Sequence, residues 1–476
     1  MSHEIHANYE QTFLLPPSID EFIGKSHPAR FIKEFVDSVD LTGLGFVVRD
    51  TDEGRPNYAV ELLTKVWVYG YFEKIRTSRG LEKMCYNNLG MLWLTGMNYP
   101  DHNTIWRFYR NNKAALRGLF KKSVQVAYSC GFVGLVLNAV DGTRIVGDVS
   151  RKRALHRASL EKLLSRLDEG IDDVLQETEN SERETGSIEY NLPTEYAERE
   201  RLREEIRSQL QKLDNAGTSH LSTTDEDCRM MKCYVEGTRF AYNAQAVVDD
   251  KLRIVVAADV VQNETDNHQL TRMVEQVEEN IGEVADETVA DAGYYSGEEL
   301  AKAGEAGYEV LVNLPDNSST KCKHISAGFD KSKFTYNSQT DTYTCPKGGI
   351  LAFCSYKRGR KQTHSSKKYR CKNYKDCEFS HGCNQAKQGR TITIPYFEKE
   401  ILAQKEKQKL PANMGKIKKR KAIVEPVFGI IKRNMGFRRW TVRGLDNVRA
   451  QWALVCTVFN LKKLYKQWAE CPIAIA

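Results

Sequence analysis

The chain has 476 residues, long for one compact core, and its 41% apolar and 10% aromatic content fits a folded protein rather than a disordered one. The opening MSHEIHANYEQ lacks the basic-then-apolar pattern of a secretory signal, and the longest apolar stretch, near 131–140, is too short to cross a membrane, so a soluble cytoplasmic protein is expected. The net charge of +7 is unevenly spread: Lys416, Lys418, Lys419, Arg420 and Lys421 form one basic run and Arg151, Lys152 and Arg153 another, which suits a polyanionic partner, although a single run is usually a solvated helix face.

Residues 1–130 read as mainly helical, with apolar periodicity through Phe31, Phe35 and Val39 and again through Ala59, Leu62, Leu63, Val66 and Trp67. A helix around Gly80–Tyr86, a turn rich in Gly, Asn and Pro, and the stretch DHNTIWRFYRNN follow. Asp101 is placed to cap that last helix, leaving His102, Asn103, Arg107 and Arg110 for DNA in the manner of a helix-turn-helix. An ordinary helical bundle fits the same pattern.

From Val133 the period shortens, and VGLVLNAVDGTRIV reads as a strand running to Asp141 and an Asp-Gly turn. Helical spacing over 151–219 predicts an inserted helical hairpin. Strands resume with FAYNAQAVVDD and LRIVVAADVVQ, joined across Asp249 and Asp250. A helix over roughly 266–279 precedes ETVADAGYYS, a short strand ending at Asp291, and Ser296 with Glu299 makes a capping box for the next helix. YEVLVNLP supplies another strand. Three strands, helix, strand, helix, strand, an insert and a closing helix is the succession of a ribonuclease-H-like α/β domain, here over 131–150, 220–317 and 398–470.

Phosphodiester cleavage is well served by two divalent ions roughly 4 Å apart, which need bridging carboxylates. Magnesium asks for few protein oxygens beside water and phosphate. Acids stand where such a fold converges: Asp141, Asp291 and Glu425 at the start of the last helical region. Asp259 is the main rival for the second position, and Asp225, Asp227 and Asp266 read as caps or outer residues.

Within a cysteine-rich insert expected over 318–397, the 39-residue stretch 345–383 holds five of the twelve cysteines, namely Cys345, Cys354, Cys371, Cys377 and Cys383. Cys345, Cys371, Cys377 and Cys383 could supply a structural zinc site. Tyr374 stands where another cysteine would complete close pairs, and Cys354 or His381 could substitute. The alternative is a metal-free β-rich insert.

The strings VDGTRI, VADAGYYS, RKAIVEPVFGIIKR and GFRRWTVRGLDNVRAQWALVCTVFNLKKL resemble the signature blocks of bacterial insertion-sequence DDE transposases with an N-terminal helical domain. SRGLEKMCYN and YPDHNTIWRF resemble that helical domain, and TDEDCRMMK with YNAQAVVD the blocks between the first two acids. The resemblance implies that Asp141, Asp291 and Glu425 hold Mg2+ or Mn2+, that the partner is double-stranded DNA at transposon ends and target, and that the protein works as a homodimer. It also places Lys432, seven residues beyond Glu425 and on the same helix face, against DNA phosphate. Two departures stand out. Lys418 and Lys421 lie nearest the places where the family often carries a tyrosine and an arginine, with Arg420 one residue off. Pro426 disfavours helical geometry at Glu425, so the helix either starts at Pro426, aiming its positive end at the carboxylate, or kinks there. A DNA-binding descendant that no longer cuts, and a nuclease that only hydrolyses, are the competing readings.

Overall fold

A computed structural model describes residues 18–47, 57–149, 154–169, 194–314, 327–357, 364–383 and 388–470. The Arg151–Arg153 run lies outside them.

Among the described residues, a short 3-10 turn (Ile19–Phe22) is followed by the α-helices α1 (Pro28–Asp37), α2 (Val60–Phe72), α3 (Ser78–Asn87), α4 (Leu89–Thr95), α5 (His102–Asn111) and α6 (Lys113–Ser129). Asp101 caps α5 as its position suggests, accepting from the backbone N–H of Asn103 at 2.8 Å and Thr104 at 2.9 Å. Ile105, Phe108 and Tyr109 turn inward, while Asn103, Arg107 and Arg110, at helical spacing, share an exposed face.

The sheet is mixed. Its strands are β1 (Leu137–Val146), β4 (Arg229–Cys233), β5 (Gly237–Asp249), β6 (Val255–Val261), β7 (Glu287–Ala290) and β8 (Val310–Val312), in the order β4-β5-β1-β7-β8 with β6 also pairing β5. β1 runs antiparallel to β5 and parallel to β7. Helices α9 (Leu270–Ile281) and α10 (Gly297–Glu305) connect the later strands. The expected capping box at α10 does not form: Ser296 makes no side-chain cap bond, and Glu299 instead accepts from the Thr271 N–H and hydroxyl, each at 2.9 Å, at the start of α9.

Among the described residues, two excursions lie between elements of this sheet and the closing helices. Strands β2 (Ala154–His156) and β3 (His220–Ser222) pair at the base of a helical excursion, whose described parts are α7 (157–169) and α8 (Thr194–Asn215). Arg203 on α8 holds Asp168 on α7 at 2.7 Å. The second is an antiparallel meander of β9 (Thr335–Asn337), β10 (Thr342–Thr344), β11 (Ile350–Lys357), β12 (Ser366–Cys371) and β13 (Thr391–Ile394), with one helical turn, α11 (Ser380–Cys383), before β13. Phe334, Leu351, Tyr369 and Ile392 give it a small core of its own.

The closing helices are α12 (Glu398–Lys409), α13 (Pro411–Gly429) and α14 (Leu445–Glu470). Val448, Trp452, Val455 and Phe459 of α14 join one continuous core that reaches from Ile23 in the helical region through the sheet to Trp468. Asn460 of α14 treats β6 as a further strand would, accepting from the Val255 N–H at 2.9 Å and donating to its carbonyl at 2.9 Å. The helical region and the sheet are therefore joined by shared apolar burial, the main favourable contribution to folding. Among the described residues no helix is long and apolar enough to cross a membrane.

Candidate active site

Asp141 sits in the middle of β1 rather than at its end, because the strand continues through Gly142 to Val146. The Asp-Gly pair is not a turn. Gly142 is required by crowding on the opposite sheet face: a Cβ there would fall 2.4 Å from Gln245 Nε2, 2.5 Å from Asp266 Oδ1 and 2.9 Å from Asn243 Oδ1. Parallel pairing of β1 with β7 matches Leu137 with Glu287 and Ala139 with Val289. Two residues on, the same register brings Asp141 level with Asp291, which caps the short turn Ala292–Tyr294. Neighbouring strands lie about 4.8 Å apart, so the two carboxylates become neighbours through pairing alone.

One cation answers both. Arg420 of α13 places Nη1 2.9 Å from Asp141 Oδ2 and Nη2 3.7 Å from Asp291 Oδ2, and its side chain is only 8% exposed. Burial pushes the Asp141 carboxyl above its ordinary value, the Arg420 charge opposes that rise, and Asp291 adds to it. Arg420, expected among the surface cations, is thus buried against the acids.

Behind this pair lies a polar network that local sequence patterns did not single out. Asp266, expected to be a cap or outer residue, accepts from Asn243 Nδ2 at 2.7 Å, Gln245 Nε2 at 2.8 Å and Arg144 Nη2 at 3.2 Å. Tyr294 donates its hydroxyl to Gln245 Oε1. A Cβ on Gly293 would meet Asp291 Oδ1 at 2.9 Å and Asp266 Oδ2 at 3.3 Å, so the network presses directly on the turn carrying Asp291. The available signal was Asn243 and Gln245, two amides at strand spacing inside the apolar run FAYNAQAVV.

Glu425 does not join the two aspartates. Helix α13 runs unbroken from Pro411 to Gly429 with Pro426 inside it, which removes the expectation that a helix start would aim at this carboxylate. Ile423, Val424, Val427 and Phe428 fix the rotation of α13 by packing inward, and Glu425 is left exposed. Among the described residues no three His, Cys, Asp or Glu side chains stand together closely enough to hold a metal ion. After Pro426, which lacks a backbone donor, the chain widens into a π-turn over Ile430–Asn434. Lys432 on that turn donates to Thr143 Oγ1 at 2.5 Å, two residues along β1 from Asp141 and on the same strand face. Burial lowers the Lys432 ammonium below its ordinary value.

Of the basic run, Lys416 is paired with Glu287 at 2.8 Å and Lys419 with Asp250 at 2.5 Å, whereas Lys418 and Lys421 are exposed. The rival Asp259 is held by Arg272 at 2.8 Å and Arg449 at 3.0 Å. Asp225 accepts from the Tyr242 hydroxyl at 2.8 Å, and Asp227 from the Leu445 N–H at 2.8 Å at the start of α14. The block GFRRWTVRG runs beside the end of β1, where Trp440 Nε1 donates to the Ile145 carbonyl at 3.0 Å.

The four expected cysteines lie along the meander and its helical turn, and among the described residues no three of them stand together closely enough to hold a metal ion. Cys345 Sγ accepts from the Gly349 N–H at 3.1 Å and the Lys347 N–H at 3.4 Å. A Cβ on Gly349 would stand 3.1 Å from that sulfur and 4.0 Å from Cys371 Sγ. Burial first, then opposition from Arg390 and additions from Cys345, Cys371 and Cys377, leaves the Cys383 thiol above its ordinary value. All four are free thiols. Cys354 is exposed beside Ser355, and the His381 side chain lies outside the described residues.

Two paired carboxylates on the central strands of a mixed sheet, faced by a cation-rich helix, define a protein with an acid-centred site beside a basic surface. Residues 17–111 match a transposase domain (DUF772), and residues 344–465 match the transposase DDE domain. Both matched stretches are transposase domains, and together they support an insertion-sequence DDE transposase. The second match includes Cys345, Cys371, Cys377, Cys383, Arg420, Glu425 and Lys432, whereas Asp141 and Asp291 lie outside both matched stretches. No curated protein matches the chain.

Proposed function

We propose that the protein cuts DNA strands at the ends of a transposable element and joins them to target DNA, using Mg2+ or Mn2+ held by Asp141, Asp291 and Glu425. The observation that carries this reading is the side-by-side placement of Asp141 and Asp291 around one buried positive charge. That pair suits a hard divalent cation, which needs only one or two protein carboxylates when substrate phosphate completes its shell. Glu425 would have to turn inward to join them. Bound ions supply Lewis-acid stabilisation and a nucleophile that is ionised near neutral pH. The chain's own contribution is position: β1 and β7 fix the two acids, the Asp266 network fixes the turn at Asp291, and Lys432 lies on the same face for a phosphate. Strand order β5-β1-β7-β8 with β6 outside β5 supports a ribonuclease-H-like core. Arg107, Arg110, Lys418 and Lys421 are exposed and suited to duplex phosphate, and joining two ends favours a homodimer.

The test is a supercoiled plasmid carrying the element's ends, incubated with protein and Mg2+ or Mn2+. Nicking followed by end joining is expected, and D141N, D291N and E425Q should each abolish both. Cleavage without joining favours the hydrolysis-only nuclease, and neither activity favours the silent DNA-binding descendant. Either result, or nicking that survives D141N, overturns the proposal. Cys345, Cys371, Cys377 and Cys383 are proposed to bind a structural zinc ion, because the Cys345 and Cys371 sulfurs both lie beside Gly349 and thiolates are soft donors. About one zinc per chain by elemental analysis, lost in C371S, is expected; a zinc-free, fully folded protein refutes it.

A further inference from the structure

The cation between the acids is the feature that the proposed chemistry leaves unexplained. A guanidinium is not deprotonated in proteins, so Arg420 brings a permanent positive charge to Asp141 and Asp291. Its Nη1 lies 2.9 Å from Asp141 Oδ2 and its Nη2 3.7 Å from Asp291 Oδ2, on the two carboxylates that would hold a divalent ion. With the side chain 8% exposed, little water is present to screen the repulsion between that charge and an incoming metal ion. The two cations would compete for the same pair of carboxylates.

The helix adds a second constraint. Arg420 and Glu425 are five residues apart on α13, so they project about 140° apart around the helix axis. While Arg420 faces the sheet, Glu425 is turned away from it, as its exposure shows. The same segment carries both backbone irregularities of this region, Pro426 within the helix and the π-turn at Ile430–Asn434. A proline removes one helix hydrogen bond, and a π-turn is an inserted residue's worth of slack.

We propose that Arg420 is a positioning residue that occupies the cation position between Asp141 and Asp291 in the DNA-free protein. Divalent-ion loading then requires it to withdraw as α13 re-registers around Pro426 and the π-turn, bringing Glu425 in. This rests on the reading that Asp141 and Asp291 hold the ions. The resting protein therefore keeps its acids partly charge-balanced and close together but shuts out metal.

The test is calorimetric titration of Mn2+ into the full-length, DNA-free protein, with no activity measured. R420Q removes the charge and should bind Mn2+ at least about tenfold more tightly than the wild type, because a like charge has been removed from a poorly screened site. R420K keeps the charge and should bind as weakly as the wild type. Equal or weaker Mn2+ affinity in folded R420Q overturns the inference. Adding D141N to R420Q separates the two ideas: Mn2+ binding that persists sinks the metal reading itself, whereas binding that vanishes, with R420Q and wild type otherwise equal, sinks only the role of Arg420. Should R420Q fail to fold, hydrogen exchange of the wild type decides. Amides of Pro411–Gly429 should change protection when Mn2+ and duplex DNA are added together, and unchanged exchange refutes the inference.

Discussion

Substituting Gly142 by alanine tests whether the glycine beside Asp141 serves space rather than a turn. Its backbone lies within a regular strand, so alanine brings no conformational penalty there. The added methyl would meet Gln245 Nε2 at 2.4 Å, Asp266 Oδ1 at 2.5 Å and Asn243 Oδ1 at 2.9 Å, all below normal contact distance. None of the three can give way freely, since Asn243 and Gln245 are fully buried and both donate to Asp266, at 2.7 and 2.8 Å. Forcing a methyl into a packed interior costs about 1–3 kcal/mol. Breaking one buried hydrogen bond and leaving its donor without a partner adds roughly 1–3 kcal/mol. G142A should therefore lose about 2–4 kcal/mol, because the two effects overlap where one displaced side chain relieves both. Urea unfolding followed by tryptophan fluorescence reads this directly, with Trp440 and Trp452 buried in the core that includes β1. G304A is the control: its Cβ would meet nothing within 4 Å, and in a helix it should be neutral or stabilising by up to about 1 kcal/mol. A G142A protein within about 0.5 kcal/mol of wild type would refute the crowding argument.

Two further outcomes are expected. D101A removes the cap of α5 and should cost about 1 kcal/mol at neutral pH. The Thr104 N–H holds the Asp101 carboxyl below its ordinary value, so this contribution is present above the unfolded value and fades as pH falls through the lowered one. The difference between wild type and D101A in thermal unfolding should accordingly disappear in strong acid; a gap that persists there counts against the cap. R107Q with R110Q should weaken duplex binding uniformly across sequences and flatten the slope of log affinity against log salt by up to about two units, one for each phosphate that is no longer neutralised. Unchanged salt dependence in fluorescence anisotropy would remove α5 from the DNA-binding surface.

Local spacing in the sequence was enough to determine several features. Asp101 precedes α5 at capping distance, and the inward residues of α5 recur at helical intervals. Asp291 closes a short apolar strand, and the four cysteines sit in a turn-rich stretch that folds into its own small sheet. Each of these depends on neighbours a few residues away. What faces what was decided by packing over long separations. Gly142 looks like a turn until β5 lies beside it, and Glu299 looks like part of a capping box until α9 offers Thr271. Asp266 looks peripheral until Asn243 and Gln245 point at it. The five basic residues within 416–421 are nearly equivalent as a string, but burial of Ile423, Val424 and Val427 sets the rotation of α13 and sends Arg420 inward. A helix has one rotational phase, and the apolar face that it buries chooses it. That choice placed an arginine rather than Glu425 against Asp141 and Asp291.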